Sequence, residues 1–333
     1  MAFPSIIFSI PVGILADRYG RRKVLAPSLF LFGIAGVSCA FISDFNFLLI
    51  MRFFQGIGAV SLLSISLTVI GDIYSGKDRT AAMSYNGSVI NVALAIFPAT
   101  GGAMAIFGWN YPFFLPIVAI PIGLLVLFSL KNPEPKDNQN IKEYLGNAWT
   151  IVKNRRVIGL LFASVFTFIV FYGAFMTFFP VLLGYSFGAS SLIIGLIITC
   201  FSITGAVAAL QVGKISRVYP VKRIIALAFF LYALAFVIIP LASSIWLLLI
   251  PVVIFGIGHG LNEPSIHTLL AECAPKEHRA VLMSLNWLVV RTGITLGPIL
   301  LGAFYGLGGV ATVFFAGACL SIVMVGLAFI MIK

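Results

Sequence analysis

GILADRYGRRK, from Gly13 to Lys23, follows an apolar run and sets an aspartate and four cations, Asp17, Arg18, Arg21, Arg22 and Lys23, within seven residues before the chain turns apolar again. That profile predicts a tight turn between two membrane helices. Gly13 lacks a Cβ and lets a neighbouring helix approach closely, while Asp17 and Arg21 stand four apart and pair along one face if the turn winds. Lipid phosphates explain the cations but not the placing of Gly13, Asp17 and Gly20.

Outward from this turn the chain is apolar almost throughout. Of 333 residues, 61% are hydrophobic and 9% charged, with a mean hydropathy of +1.11, against about one quarter charged in a soluble domain. The chain therefore reads as an all-α membrane protein in contact with the lipid bilayer. A net charge of +11 would suggest nucleic acid in a soluble protein, but here the cations sort by side of the membrane, and no nucleic-acid partner is expected. At roughly 20 apolar residues per crossing, about eleven spans fit. Every Lys and Arg except Arg52 and Arg291 falls in connections on one side, and the opposite connections carry only Asp44. The positive-inside rule then places the basic side in the cytoplasm, in a prokaryotic cytoplasmic membrane. The first apolar segment is short and has neither a basic leader nor a cleavage site, so it reads as the tail of a helix whose start is missing. The cysteines Cys39, Cys200, Cys273 and Cys319 show no paired spacing and read as packing residues, with no metal and no cofactor expected.

The longest polar connection opens Asn132-Pro133-Glu134-Pro135 and contains an amphipathic piece near Ile141 to Lys153. It predicts an N-terminal helical bundle over 1–130, a cytoplasmic linker over 131–156 and a C-terminal bundle over 157–333. An internal repeat agrees with this division. Gly13 and Gly213 lie 200 residues apart (213 − 13), and the same offset pairs Gly56-Ile57-Gly58 with Gly256-Ile257-Gly258, Asp72 with Glu272, Arg79 with Arg279, Asn86 with Asn286, Pro98 with Pro298 and Gly102 with Gly302. Two related bundles closing against each other around a midplane site is the design of alternating-access transporters.

Positions alike in both copies read as scaffold, and those that differ as specialised. The ionisable residues inside spans all differ: Arg52 faces Val252, His259 faces Ala59, Glu263 faces Leu63, His267 faces Leu67 and Arg291 faces Asn91. Glu263 lies nine residues before Glu272, so roughly 13 Å deep by helical rise, where a charge on a helix costs about 2.5–3.5 kcal/mol. It suits a proton-coupling site, with His259 and His267 four residues to either side. The competing reading ties Glu263 to Asn262 or Arg291 as a helix clamp. Arg291 stands about 18 Å into its span and needs an anion, for which Glu263 is the candidate.

The opening stretch resembles motif A of the major facilitator superfamily, matching at Gly13, Leu15, Ala16, Asp17, Arg18, Gly20, Arg21 and Arg22. Arg52, Gln55, Gly56, Gly58 and Ala59 resemble its motif B. The resemblance implies the major facilitator fold, two pseudo-symmetric bundles with about eleven spans visible of twelve, and a proton-coupling role for Arg52. It also implies a cytoplasmic gate in which Asp17 and Arg21 meet Asp72, with Arg18 and Arg79 alongside. In the second copy Arg217 and Pro220 replace motif A residues, so only the first copy is expected to latch fully. Motif C of drug and proton antiporters is incomplete at Ala93, Pro98, Gly101 and Gly102; its Gly-x-x-x-Gly-Pro form appears instead as Gly293, Gly297 and Pro298, and small residues so spaced allow close helix packing in both places.

The span with Phe166, Phe168, Phe171, Tyr172, Phe175, Phe178 and Phe179 lines an apolar cavity on one reading and faces lipid on the other; Tyr172, whose hydroxyl wants a partner, is the substrate candidate. Gly71 to Asp78 imitates a phosphate-binding loop but lacks its final Ser or Thr and follows a helix, so ATP drive is not expected. His259, Glu263 and His267 lack zinc-site spacing. The expected function is that of a secondary transporter, not an enzyme, moving a small solute by alternating access, coupled to protons and exporting a lipophilic drug or metabolite, as a monomer. Proton symport or facilitated import of a nutrient is the alternative, and a non-transporting sensor on the same fold is another.

Overall fold

The computed structural model describes residues 2–74, 76–130, 154–273 and 279–332, and every regular element among them is helical. Helix α1 is Ala2–Tyr19, and α2 is Arg21–Ser38, closed by a 3-10 turn at Cys39–Phe41. Next come α3, Phe45–Ile73, α4, Gly76–Met104, and α5, Ala119–Ser129, entered through 3-10 turns at Tyr111–Val118. Then follow α6, Arg155–Phe187, α7, Ser191–Val218, α8, Val221–Ile238 with a 3-10 turn at Ile239–Leu241, α9, Leu249–Cys273, and α10, Arg279–Met331. The last is two expected spans run together, for Gly308 and Gly309 leave helical geometry and Gly309 takes a φ of 77°. The linker expected over 131–156, with its amphipathic piece, lies outside the described residues up to 153.

The helix ends follow from local chemistry. Gly20 has a φ of 93°, a conformation glycine adopts without steric cost, so the glycine of the opening stretch is the hinge between α1 and α2. Asp44 caps α3 by accepting from the Phe47 amide at 3.0 Å, Asn154 caps α6 by accepting from Arg156 at 2.9 Å, and Ser190 caps α7. Lys77 and Arg79, expected in a connection, belong instead to the first turns of α4, where Asp78 complements the helix dipole.

Among the described residues seven segments are long and apolar enough to cross a membrane. Helix α9 is not one of them, because His259, Asn262, Glu263 and His267 lower its hydropathy within one stretch.

The chain forms two compact units. The first comprises residues 1–93 and 103–138, the second 94–102 and 139–333. In the first unit α2 packs on α3 and α5, and α1 packs on α3, around Leu25, Leu29, Val60 and Ile65. In the second, α8 packs on α9 and α10, α7 packs on α9, and α6 packs on α10. The 200-residue register governs both: α2 with its closing turn spans Arg21–Phe41 and α8 with its own spans Val221–Leu241. It also governs the contacts. A Cβ on Gly58 would lie 2.7 Å from Phe32 N and Ser28 O, while one on Gly258 would lie 3.1 Å from Ala228 O and 3.0 Å from the Tyr232 ring. Each glycine thus lets the same pair of helices close at the same place in its own unit.

At one of these positions the two copies chose different chemistry. Ser28 donates to Ser61 at 2.7 Å in the first unit, whereas Ala228 and Leu261, 200 residues on, share an apolar cluster in the second. The Ser28–Ser61 hydrogen bond and the apolar contact are alternative ways of joining the same helices, and neither leaves a polar atom stranded.

Within the second unit Gly102 lies against the Ser191 carbonyl, whereas Gly101 has nothing within 4 Å of an added Cβ. Forcing side chains into closed contacts costs about 1–3 kcal/mol. Gly58→Val and Gly258→Val are therefore each expected to lower the thermal unfolding midpoint in detergent, while Gly101→Ala leaves it unchanged or slightly raised.

Candidate functional site

Helix α9 carries His259, Asn262, Glu263 and His267 at spacings that place them along one helical face. Oε2 of Glu263 lies 3.7 Å from His259 Nε2 and Oε1 lies 3.9 Å from His267 Nε2, so the half-exposed carboxylate is bracketed by imidazoles one turn away on either side. The other ring nitrogen of His259, Nδ1, is 3.3 Å from the Tyr232 hydroxyl on α8. Its ring stacks on Phe171 of α6, with centroids 4.5 Å apart.

The buried amide Asn262 donates through Nδ2 to Thr167 Oγ1 on α6 at 2.6 Å and to the Tyr232 hydroxyl at 3.3 Å. One turn earlier on α6, Ser164 donates to Oδ1 of Asn286 on α10 at 2.6 Å. Ser164 and Thr167 stand three residues apart on one face of α6, and each anchors one buried amide from a different neighbouring helix. Among the described residues two buried amide atoms, Asn262 Oδ1 and Asn286 Nδ2, have no hydrogen-bond partner. Ser164, Thr167, Phe168, Glu263, Ile266, His267, Asn286 and Val290 line a cleft with room for about one water molecule.

Close helix approach makes this cluster possible. A Cβ on Gly293 would lie 2.8 Å from Val165 O, and one on Gly297 would lie 2.8 Å from Ile169 O, so the Gly-x-x-x-Gly-Pro stretch of α10, followed by Pro298, rides directly on the α6 main chain. At that contact α6 winds as a π-helix over Ile169–Phe178, a form that occurs mostly as short insertions and often at functional sites. Pro264, next to Glu263, sits inside α9 and removes one main-chain donor from the helix.

The aromatic residues of α6 settle differently from either expectation. Phe171, Phe175 and Phe179 are buried in the core of the second unit, with Phe171 and Phe175 packed on Phe201 and Phe255. Tyr172 is partly buried and stacks on Phe168. Helical spacing carries Phe171, Phe175 and Phe179 into the bundle because α7 and α9 meet that face, while Phe166, Phe168, Tyr172 and Phe178 stay partly exposed.

Arg52 stands in the first unit, where Nη1 donates to Gln55 Oε1 at 2.8 Å and the guanidinium lies 4.4 Å over the Phe113 ring. It is held from two sides by groups that suit a planar cation. Arg291 is half-buried on α10. Of the expected gate, Arg21 is buried and donates to Ala16 O at 3.1 Å, and Arg18 is exposed beside Tyr19. The surroundings of Gly13 and the side chains of Asp17, Asp72 and Arg79 lie outside the described residues. Glu272, the second-copy counterpart of Asp72, lies 3.8 Å from Arg156 and joins the end of α9 to the start of α6. Gly56 and Gly256 are both buried, and Gly256 meets α7 at Phe201 O and the Thr204 hydroxyl.

Sequence reasoning missed Ser164, Thr167, Tyr232 and Asn286 as members of the cluster. Tyr232 stands where the first copy has Phe32, and Ser164 and Thr167 are polar residues at helical spacing in a phenylalanine-rich run; both patterns were visible. Asn286 was hidden by its match to Asn86.

The family model of the Major Facilitator Superfamily matches residues 1–188 and again 161–333. Multidrug resistance protein 1 of Bacillus subtilis (strain 168) is 25% identical over 325 residues, covering 96% of this chain and 82% of that protein. Multidrug resistance protein 2 of the same organism is 26% identical over 339 residues, covering 99% and 84%. Among solved structures, a bacterial homologue of the human lysosomal transporter Spinster, in an inward-facing and occupied conformation, superposes with a TM-score of 0.77 at 18% identity, covering 99% of this chain and 85% of that one. With its apolar helices and a match to the family model along its whole length, the chain is an integral, multi-pass membrane transporter, not an enzyme, and belongs to the major facilitator superfamily.

Proposed function

We propose that this protein is a proton-coupled exporter of lipophilic drugs or metabolites that works by alternating access, with Glu263 as its proton-exchanging group. The observation that carries the proposal is a carboxylate set within a helix bundle and bracketed by two histidines at 3.7 and 3.9 Å, where lipid penalises charge. Export is supported by the multidrug resistance proteins to which the chain is similar. The two helical units serve as the rocking halves, joined by the 131–156 linker, with the basic connections in the cytoplasm and the molecule acting as a monomer. Asp17, Arg21 and Asp72 form the cytoplasmic gate of the first half.

Arg52 and Arg291 are the cationic members of this machinery. Arg52 is held for coupling by Gln55 and Phe113, and Arg291 supplies the charge toward which Glu263 turns once solute disturbs its histidine contacts. Tyr172, stacked on Phe168, presents its ring to an apolar solute, and Asn262, His259 and His267 tune the carboxylate from its own helix.

Two measurements in proteoliposomes test this. Glu263→Gln is expected to abolish the pH change that accompanies movement of a lipophilic dye while preserving counterflow of the labelled dye; an unaltered pH change would remove Glu263 from the proton's route. Arg52→Lys keeps the charge but loses the fork that meets Gln55 and the plane that covers Phe113. It is expected to slow coupled transport roughly tenfold, equivalent to about 1.4 kcal/mol, and a rate equal to wild type would assign Arg52 to lipid anchoring.

A further inference from the structure

We infer that the cleft between α6, α9 and α10 binds one hydroxyl oxygen, from a water molecule or from the solute itself, which accepts a hydrogen bond from Asn286 Nδ2 and donates one to Glu263. Asn286 is 1% exposed and lines the cleft, and its Nδ2 has no partner among the described residues, while its Oδ1 is already taken by Ser164. A buried amide N–H without an acceptor is costly, and native structures supply one from the protein or from ordered water. The cleft has room for about one water molecule; its lining is mostly apolar, at Phe168, Ile266 and Val290, with polar side chains at Ser164, Thr167, Asn286, Glu263 and His267.

The two facing groups also select the ligand's chemistry. A bare anion is repelled by Glu263, and a bare cation, though drawn to the carboxylate, leaves the Asn286 N–H without an acceptor. A hydroxyl both accepts and donates, so it satisfies the two together. The groups around Glu263 leave this place open. On its own helix stand His259 and His267, on α6 Tyr172 and on α8 Tyr232, while α7 presents Phe201 and Thr204 to α9. The bound oxygen joins α9 to α10 through Asn286, so the charge state of Glu263 is felt on a second helix. That consequence for transport rests on the coupling role proposed above; the binding site itself does not.

The test is infrared difference spectroscopy of the full-length protein in liposomes between neutral and acidic pH, in ordinary water and in water carrying heavy oxygen. A narrow O–H stretching band that shifts with heavy oxygen is expected in wild type and expected to vanish in Asn286→Leu. Asn286→Val, smaller and without any donor, gives the same loss should the leucine variant fail to fold. Phenethyl alcohol that displaces the band where ethylbenzene does not assigns the site to a solute hydroxyl, and a band that withstands both assigns it to resident water. Absence of the isotope-sensitive band from wild type, or its persistence in both Asn286 variants, overturns the inference. The readout needs no transport. If Glu263→Gln transports with unaltered coupling while the wild-type band is present, the coupling role falls and the subsite stands.

Discussion

Two hydroxyls on one helix hold the second unit's polar centre in place. Ser164 and Thr167 each meet a buried amide at 2.6 Å, one on α10 and the other on α9. An apolar bundle penalises every polar atom that finds no partner, so Asn262 and Asn286 fix the rotation of their helices about α6 as much as they decorate them. The contact requires main chains to come close, and Gly293 and Gly297 provide this by leaving no side chain between α10 and α6. Glu263 then stands half-exposed on a helix whose facing is already set by its neighbours.

The two units show what a duplicated bundle keeps and what it changes. Helix ends, closing turns and the glycine contacts at Gly58 and Gly258 coincide at an offset of 200 residues. What differs is concentrated where chemistry can be done: Arg52 meets Gln55 and Phe113 in the first unit, whereas Val252 is buried core in the second, and the histidines and glutamate of α9 replace alanine and leucine. Glu272 pairs with Arg156 of α6, and 200 residues after Asp17 the chain has Arg217.

Much of this architecture was legible in the sequence, because a membrane forces apolar runs of fixed length and sorts the cations. Gly20 and the 200-residue register could be read without coordinates. Partnership could not. Nothing in a single sequence says that Asn262 turns toward Thr167, that Asn286 meets Ser164 across 122 positions, or that Phe171 and Phe175 turn inward to pack on Phe201 and Phe255. These depend on which neighbours surround a helix, and apolar residues are equally at home against lipid and against protein. Gly101 and Gly102 make the same point, since adjacent and identical letters differ entirely in what lies beside them.

The π-helical stretch of α6 over Ile169–Phe178 has a mechanical meaning. A helix wound more loosely for ten residues holds slack, and rewinding it to the ordinary pitch would swivel everything beyond it relative to everything before. Ser164 and Thr167 lie on the tight side of that slack, and Tyr172 and Phe175 lie within it. The helix therefore presents its aromatic half at a different angular offset from the hydroxyl half clamped to Asn262 and Asn286 than an unbroken α-helix would.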